Sequence, residues 1–116
     1  MQLLHLTIQT DKFAEELSFY QNIVGLKIVN EMHAPGRDIV FLANAEGDTA
    51  IEIIDNPDAE NAGNANLSIG FKTEDVHAMR QELIDKGFEA TPMISPAPGV
   101  EFFFVKDPAG VSVQFM

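Results

Sequence analysis

The stretch "LLHLTIQTD" near the start of the chain returns sixty-three positions later as "NLSIGFKTE". Leu4 is answered by Leu67, Leu6 by Ile69, Ile8 by Phe71 and Thr10 by Thr73. The correspondence continues through Gly25 and Gly87 and reaches the turn sequences "AEGD" and "DPAG", always at an offset of about 62 or 63 residues. A repeat of that period in a chain of 116 residues leaves each half too short for an ordinary domain, so the halves are expected to share one domain, residues 1–116, as two small modules. His5, however, is answered by Ser68, so only one copy carries an imidazole.

Within each half the local patterns agree on the element order. Leu4, Leu6 and Ile8 alternate with His5, Thr7 and Gln9, as in a half-buried strand. Asp11 is placed to cap a following helix, whose Phe13, Leu17, Tyr20 and Val24 fall on one stripe, and Gly25 is placed to end it. The segments "LKIVNEM", "DIVFLAN" and "TAIEII" read as three further strands separated by glycine-containing turns. Module one thus occupies about residues 1–55, and the polar, aperiodic "DNPDAENAGNAN" supplies a linker at 56–65. Module two, about 66–116, repeats the order: the strand "LSIGFKT", a helix capped by Glu74 or Asp75 with Val76, Met79 and Leu83 on its apolar stripe, the stop at Gly87, and the strands "FEATPM", "GVEFFFVKD" and "GVSVQFM". The predicted class is α+β, with two tandem βαβββ modules forming a curved mixed sheet and the helices on its outer face.

Charge and composition narrow the function. Eighteen acidic against seven basic side chains give a formal charge of −11, a field that repels phosphate backbones and anionic membrane surfaces, so neither nucleic acid nor membrane is an expected partner. With no cysteine there is no disulfide, no thiolate nucleophile and no sulfur-rich metal site. The opening residues lack the basic and long apolar regions of a secretory signal, and the expected location is cytoplasmic. His33 reads as a loop residue and His77 as a solvent-facing one.

The paired βαβββ pattern, "LLHLTIQTDKFAEELSFYQNIVGLKI", "AIEII" and the closing "FFVKDPAGVSVQF" together resemble the vicinal oxygen chelate superfamily, which includes glyoxalases, bleomycin resistance proteins and extradiol dioxygenases. The resemblance covers the whole chain. In the family's metalloenzymes one residue from the first and one from the last strand of each module hold a divalent ion. Those positions fall here on His5, Glu52, Ser68 and Gln114. The resemblance therefore implies His5, Glu52 and Gln114 as candidate ligands for Zn, Ni, Co, Mn or Fe, with Ser68 lining the cleft. Imidazole and carboxylate are strong donors, whereas an amide oxygen is weak and a neutral hydroxyl poor.

The family's catalytic carboxylate usually comes from the position of Gln114, whose amide cannot accept a proton, and the same role then falls to Glu52 in the first module. Lys72 shares the alternation face of Ser68 and is placed to meet an anionic group. Phe103, or another member of the Phe102–Phe104 run, is expected to line the pocket. Two functions remain open on this reading. One is a glyoxalase-type lyase or isomerase of the lactoylglutathione lyase kind, acting on a small molecule through a divalent ion with an incomplete ligand set. The other is a cleft without metal that sequesters a small, cationic drug in the manner of bleomycin resistance proteins. Single-domain relatives of this length are generally dimers, which implies a homodimer.

Overall fold

The structure, a computed structural model, describes residues 1–116. The chain divides into two compact units, Met1–Ala62 and Gly63–Met116. Each carries a four-stranded mixed sheet, and the paired βαβββ reading holds. No helix is long and apolar enough to cross a membrane.

Unit one runs β1 (His5–Thr10), α1 (Phe13–Ser18) with a π-helical continuation (Phe19–Val24), β2 (Lys27–Ala34), β3 (Arg37–Ala43) and β4 (Ala50–Asp55). Its sheet order is β1-β4-β3-β2, so the first and last strands lie side by side, parallel, with Thr7 opposite Glu52. Alternation sorts the sheet into two faces. Ile8, Val40, Leu42, Ile51 and Ile53 are buried on one of them together with Phe19 and Tyr20 of the helical segment. His5, Thr7, Phe41 and Glu52 point to the other.

Three local expectations are corrected in this unit. Asp11 does not cap the helix; Lys12 holds that position without a side-chain bond, and the preceding Thr10 Oγ1 accepts from the Lys12 N–H at 3.0 Å. The apolar stripe also changes at the π-helical segment, whose wider turn brings the adjacent Phe19 and Tyr20 both into the core, at 2% and 0% exposure. Finally, only the C-terminal end of β1 is covered. Ile8 is buried, while Leu4 and Leu6 are 65% and 44% exposed.

Gly25, at φ 86°, ends the helical segment as its position predicts; the left-handed backbone there lets the Leu26 N–H return to the Tyr20 carbonyl at 2.9 Å.

Unit two runs β5 (Ser68–Phe71), α2 (Val76–Asp85), β6 (Ile94–Ala97), β7 (Val100–Lys106) and β8 (Ser112–Phe115), in the sheet order β5-β8-β7-β6. Asp75 caps α2 by accepting from the Ala78 N–H at 3.0 Å, and Leu83 anchors the apolar stripe in the core. The predicted strand over "FEATPM" moves downstream to β6. Pro92 lacks an N–H, so the ladder breaks beside it. Thr91 bridges the gap, its N–H donating to the Phe104 carbonyl and its hydroxyl accepting from the Phe104 N–H, both at 3.0 Å. Core and opposite face again alternate. Phe103, Val105, Val113 and Phe115 are buried, while Phe104 stands opposite Gln114 on the other face.

Candidate functional site

The polar centre of unit one is built by register. Parallel pairing places Thr7 opposite Glu52, and antiparallel pairing places Phe41 opposite Glu52 from the other side. Glu52 is thereby walled on both flanks and only 9% exposed, on a central strand whose neighbours Ile51 and Ile53 point into the core. Its Oε1 accepts a hydrogen bond from the Thr7 hydroxyl and lies 3.5 Å from His5 Nε2. The His5 ring meets the edge of Phe41 with centroids 5.6 Å apart, which limits how the imidazole turns. His5 keeps a 39% exposed side chain against 11% for Glu52, so the imidazole sits at the mouth and the carboxylate beneath it.

This arrangement can hold a proton or a cation. Bonds of roughly 2.1 Å to a common ion place neighbouring donors roughly 3.0 Å apart in octahedral and roughly 3.4 Å apart in tetrahedral geometry. The His5–Glu52 separation of 3.5 Å fits two adjacent ligand positions. No third His, Asp or Glu gathers with them to complete a cluster.

Unit two shows what the same register gives with different residues. Gly70 stands opposite Gln114, as Thr7 stands opposite Glu52, and Ser68 occupies the place of His5. A Cβ at Gly70 would lie 3.3 Å from Gln114 Oε1, so the missing side chain leaves the amide room to lie across β5. The unit offers an amide and a hydroxyl in place of a carboxylate and an imidazole. Lys72 lies just beyond β5 and is exposed. Phe103, expected to line a pocket, is fully buried in the core of unit two and stacked on Phe115 at 5.5 Å. The member of the run on the Gln114 face is Phe104.

Thr7 and Phe41 are further residues of this site: alternation in the sequence places Thr7 on the face of His5, and only the strand register brings Phe41 beside Glu52. The remaining histidines pair at the surface. His33 lies on β2, where its Nδ1 is 2.9 Å from Asp38 Oδ1 of β3. The hydrogen bond with Asp38, and then that carboxylate's charge, hold the imidazole pKa above its ordinary value. The resulting contribution is complete below the unfolded pKa and is lost as pH rises through the folded one; the exposure of both side chains keeps it small. His77 on α2 pairs with Glu101 of β7.

Comparison with known proteins bears on the family and the fold. Lactoylglutathione lyase of Neisseria meningitidis is 28% identical, with 100% of this chain and 90% of that protein covered. The lactoylglutathione lyase of Haemophilus influenzae is 26% identical over 100% of this chain and 92% of its own length. Among solved structures, glyoxalase I of Leishmania major superposes with a TM-score of 0.82 at 20% identity, covering 100% of this chain and 86% of that one. A Streptomyces antibiotic-binding protein superposes with a TM-score of 0.75 at 17% identity, covering 99% and 93%. These structural likenesses extend to the fold. The family model described as Glyoxalase/Bleomycin resistance protein/Dioxygenase superfamily matches residues 2–115, and the chain belongs to that superfamily.

Proposed function

We propose that the protein is a glyoxalase-type lyase or isomerase acting on a small molecule, with Glu52 as its proton-transfer group and His5 and Glu52 as ligands of a divalent ion. The observation that supports this reading most directly is the 3.5 Å approach of His5 Nε2 to Glu52 Oε1 on one sheet face. A bound divalent ion would supply Lewis-acid stabilisation of an enediolate oxygen. The chain's own residues account for the rest. Both described contacts of the carboxylate are made at Oε1, to Thr7 and His5, which leaves Oε2 as the oxygen placed to take a proton from a carbon next to a carbonyl. Thr7 and Phe41 hold Glu52 and His5 in place, so neither needs to be ordered by the substrate.

The lactoylglutathione lyases named above make the hemithioacetal of methylglyoxal and glutathione the substrate to test first. Protein purified without chelator should contain a divalent metal and turn that hemithioacetal over, and metal removal should abolish the turnover. Metal-free protein with no turnover after reconstitution would favour the second reading, a small-molecule-binding protein of the bleomycin-resistance kind. The neutral Ser68 and Gln114 of unit two are the observation on its side.

The register suggests a direct test of donor chemistry. Ser68→His with Gln114→Glu would place in unit two the residue pair that unit one already has at the matching positions. An ion that binds only the folded state stabilises it by about 2.7 kcal/mol at a hundredfold excess over Kd, which for a chain of this size raises Tm on the order of 10 °C. The double variant should gain a nickel- or zinc-dependent melting shift beyond that of the parent chain. An unchanged response from a folded double variant would mean that these register positions do not make a donor pair.

A homodimer is the proposed assembly. Leu3, Leu4 and Leu6 of unit one are 44–73% exposed in the single chain, an apolar surface that a second copy would cover. Light scattering at micromolar concentration should report twice the chain mass; a monomer there would contradict the assignment.

A further inference from the structure

Unit two contains a groove of about 450 Å³ that the first-unit pair does not use. It opens on the sheet face that carries Gln114, since Phe104, opposite Gln114, and Lys106, opposite Ser112, all belong to its lining or its face. Its wall is preformed. Thr91 is tied to Phe104 by two 3.0 Å hydrogen bonds, and Phe102 buttresses Phe104 edge-on at 5.8 Å. The volume lies within the roughly 300–1,000 Å³ range of small-molecule sites.

The lining of this groove carries one charge of each sign. Lys106 Nζ donates to Ser112 Oγ at 3.0 Å and belongs to none of the chain's four ion pairs. Glu89, the carboxylate of the same lining, belongs to none of them either. Two opposite charges thus line one groove without forming an ion pair with each other. A purely anionic ligand would meet Glu89 and the overall charge of −11, and a purely cationic one would meet Lys106. A ligand carrying both signs satisfies both side chains.

We propose that this groove binds a zwitterionic small molecule of amino-acid size, with its carboxylate on Lys106 and Ser112, its ammonium on Glu89 and its apolar part against Phe104. The inference does not rest on a metal or on turnover at the His5–Glu52 pair, and the titration below contains neither metal nor hemithioacetal, so the two readings fail separately.

The test is an amide NMR titration of the full chain with leucine, N-acetylleucine and leucinamide. Leucine should give saturable shifts at Thr91, Phe104, Lys106 and Ser112. Blocking either charge should weaken binding about tenfold, the loss of one charge-assisted contact. In Lys106→Met, leucine should lose its advantage over leucinamide; in Glu89→Gln, it should lose its advantage over N-acetylleucine. Both side chains are exposed, so these variants keep the fold. Absence of saturable shifts, equal binding of the three probes, shifts confined to other residues, or discrimination that survives both substitutions would each overturn the proposal.

Discussion

Phe103→Ala should destabilise the protein by about 3–5 kcal/mol, enough to unfold much of a chain this small at moderate denaturant, while the adjacent Phe104→Ala should cost about 1 kcal/mol. The difference follows from the pleat. Phe103 is fully buried and stacked on Phe115 at 5.5 Å, so its removal leaves a cavity that the flanking strands cannot collapse around. Phe104 faces the groove and is only half-buried. Urea unfolding of the two variants, compared at equal m-value, measures both numbers. Similar losses would mean that the two rings share one environment and that the face assignment of β7 is in error.

Glu52→Gln carries the largest expected effect on chemistry. The amide keeps nearly the volume of the carboxylate and can still accept from the Thr7 hydroxyl through its oxygen, so the fold should persist. It cannot take a proton. Turnover of the hemithioacetal should therefore fall by about 10²–10⁴, the range that a positioned general base contributes, with a simultaneous loss of metal affinity. Single-turnover measurements at saturating metal separate the two losses. Turnover within a few-fold of the parent chain would place the base on another residue and remove Glu52 from the mechanism.

Much of the architecture was legible because the repeat counts the elements twice. His5 and Glu52 share a face for a reason visible in sequence: each sits at an outward step of a period-two alternation, and first and last strands of corresponding halves pair. Ser68 and Gln114 follow by the same rule. What the sequence hides is any choice between sterically similar neighbours. The Phe102–Phe104 run has no alternation, so only the strand register decides that Phe103 points into the core. Asp11 is the capping residue type, yet Lys12 holds the cap position, and the Thr10 hydroxyl bond to the Lys12 N–H is a local turn contact that the capping pattern does not anticipate. The π-helical turn is hidden in the same way, because it is a backbone response to packing both Phe19 and Tyr20. Thr7 was visible on the correct face. Its importance depends on the opposing residue being Glu52, which only the parallel register reveals.

The parallel pairing of first and last strands also orders events in time. The β2–β3 hairpin of unit one closes across a two-residue turn, so its contacts form locally and early. Thr7 and Glu52, in contrast, stand 45 residues apart. Closing a loop of that length costs entropy that the contact repays only after β4 has docked against β3. Strand β1 is then expected to join its sheet late, with the Thr7–Glu52 bond and the His5 approach forming after the hairpin. The β2–β3 contacts are local while the His5–Glu52 pair is not, so that pair is assembled only in molecules whose unit one has finished folding.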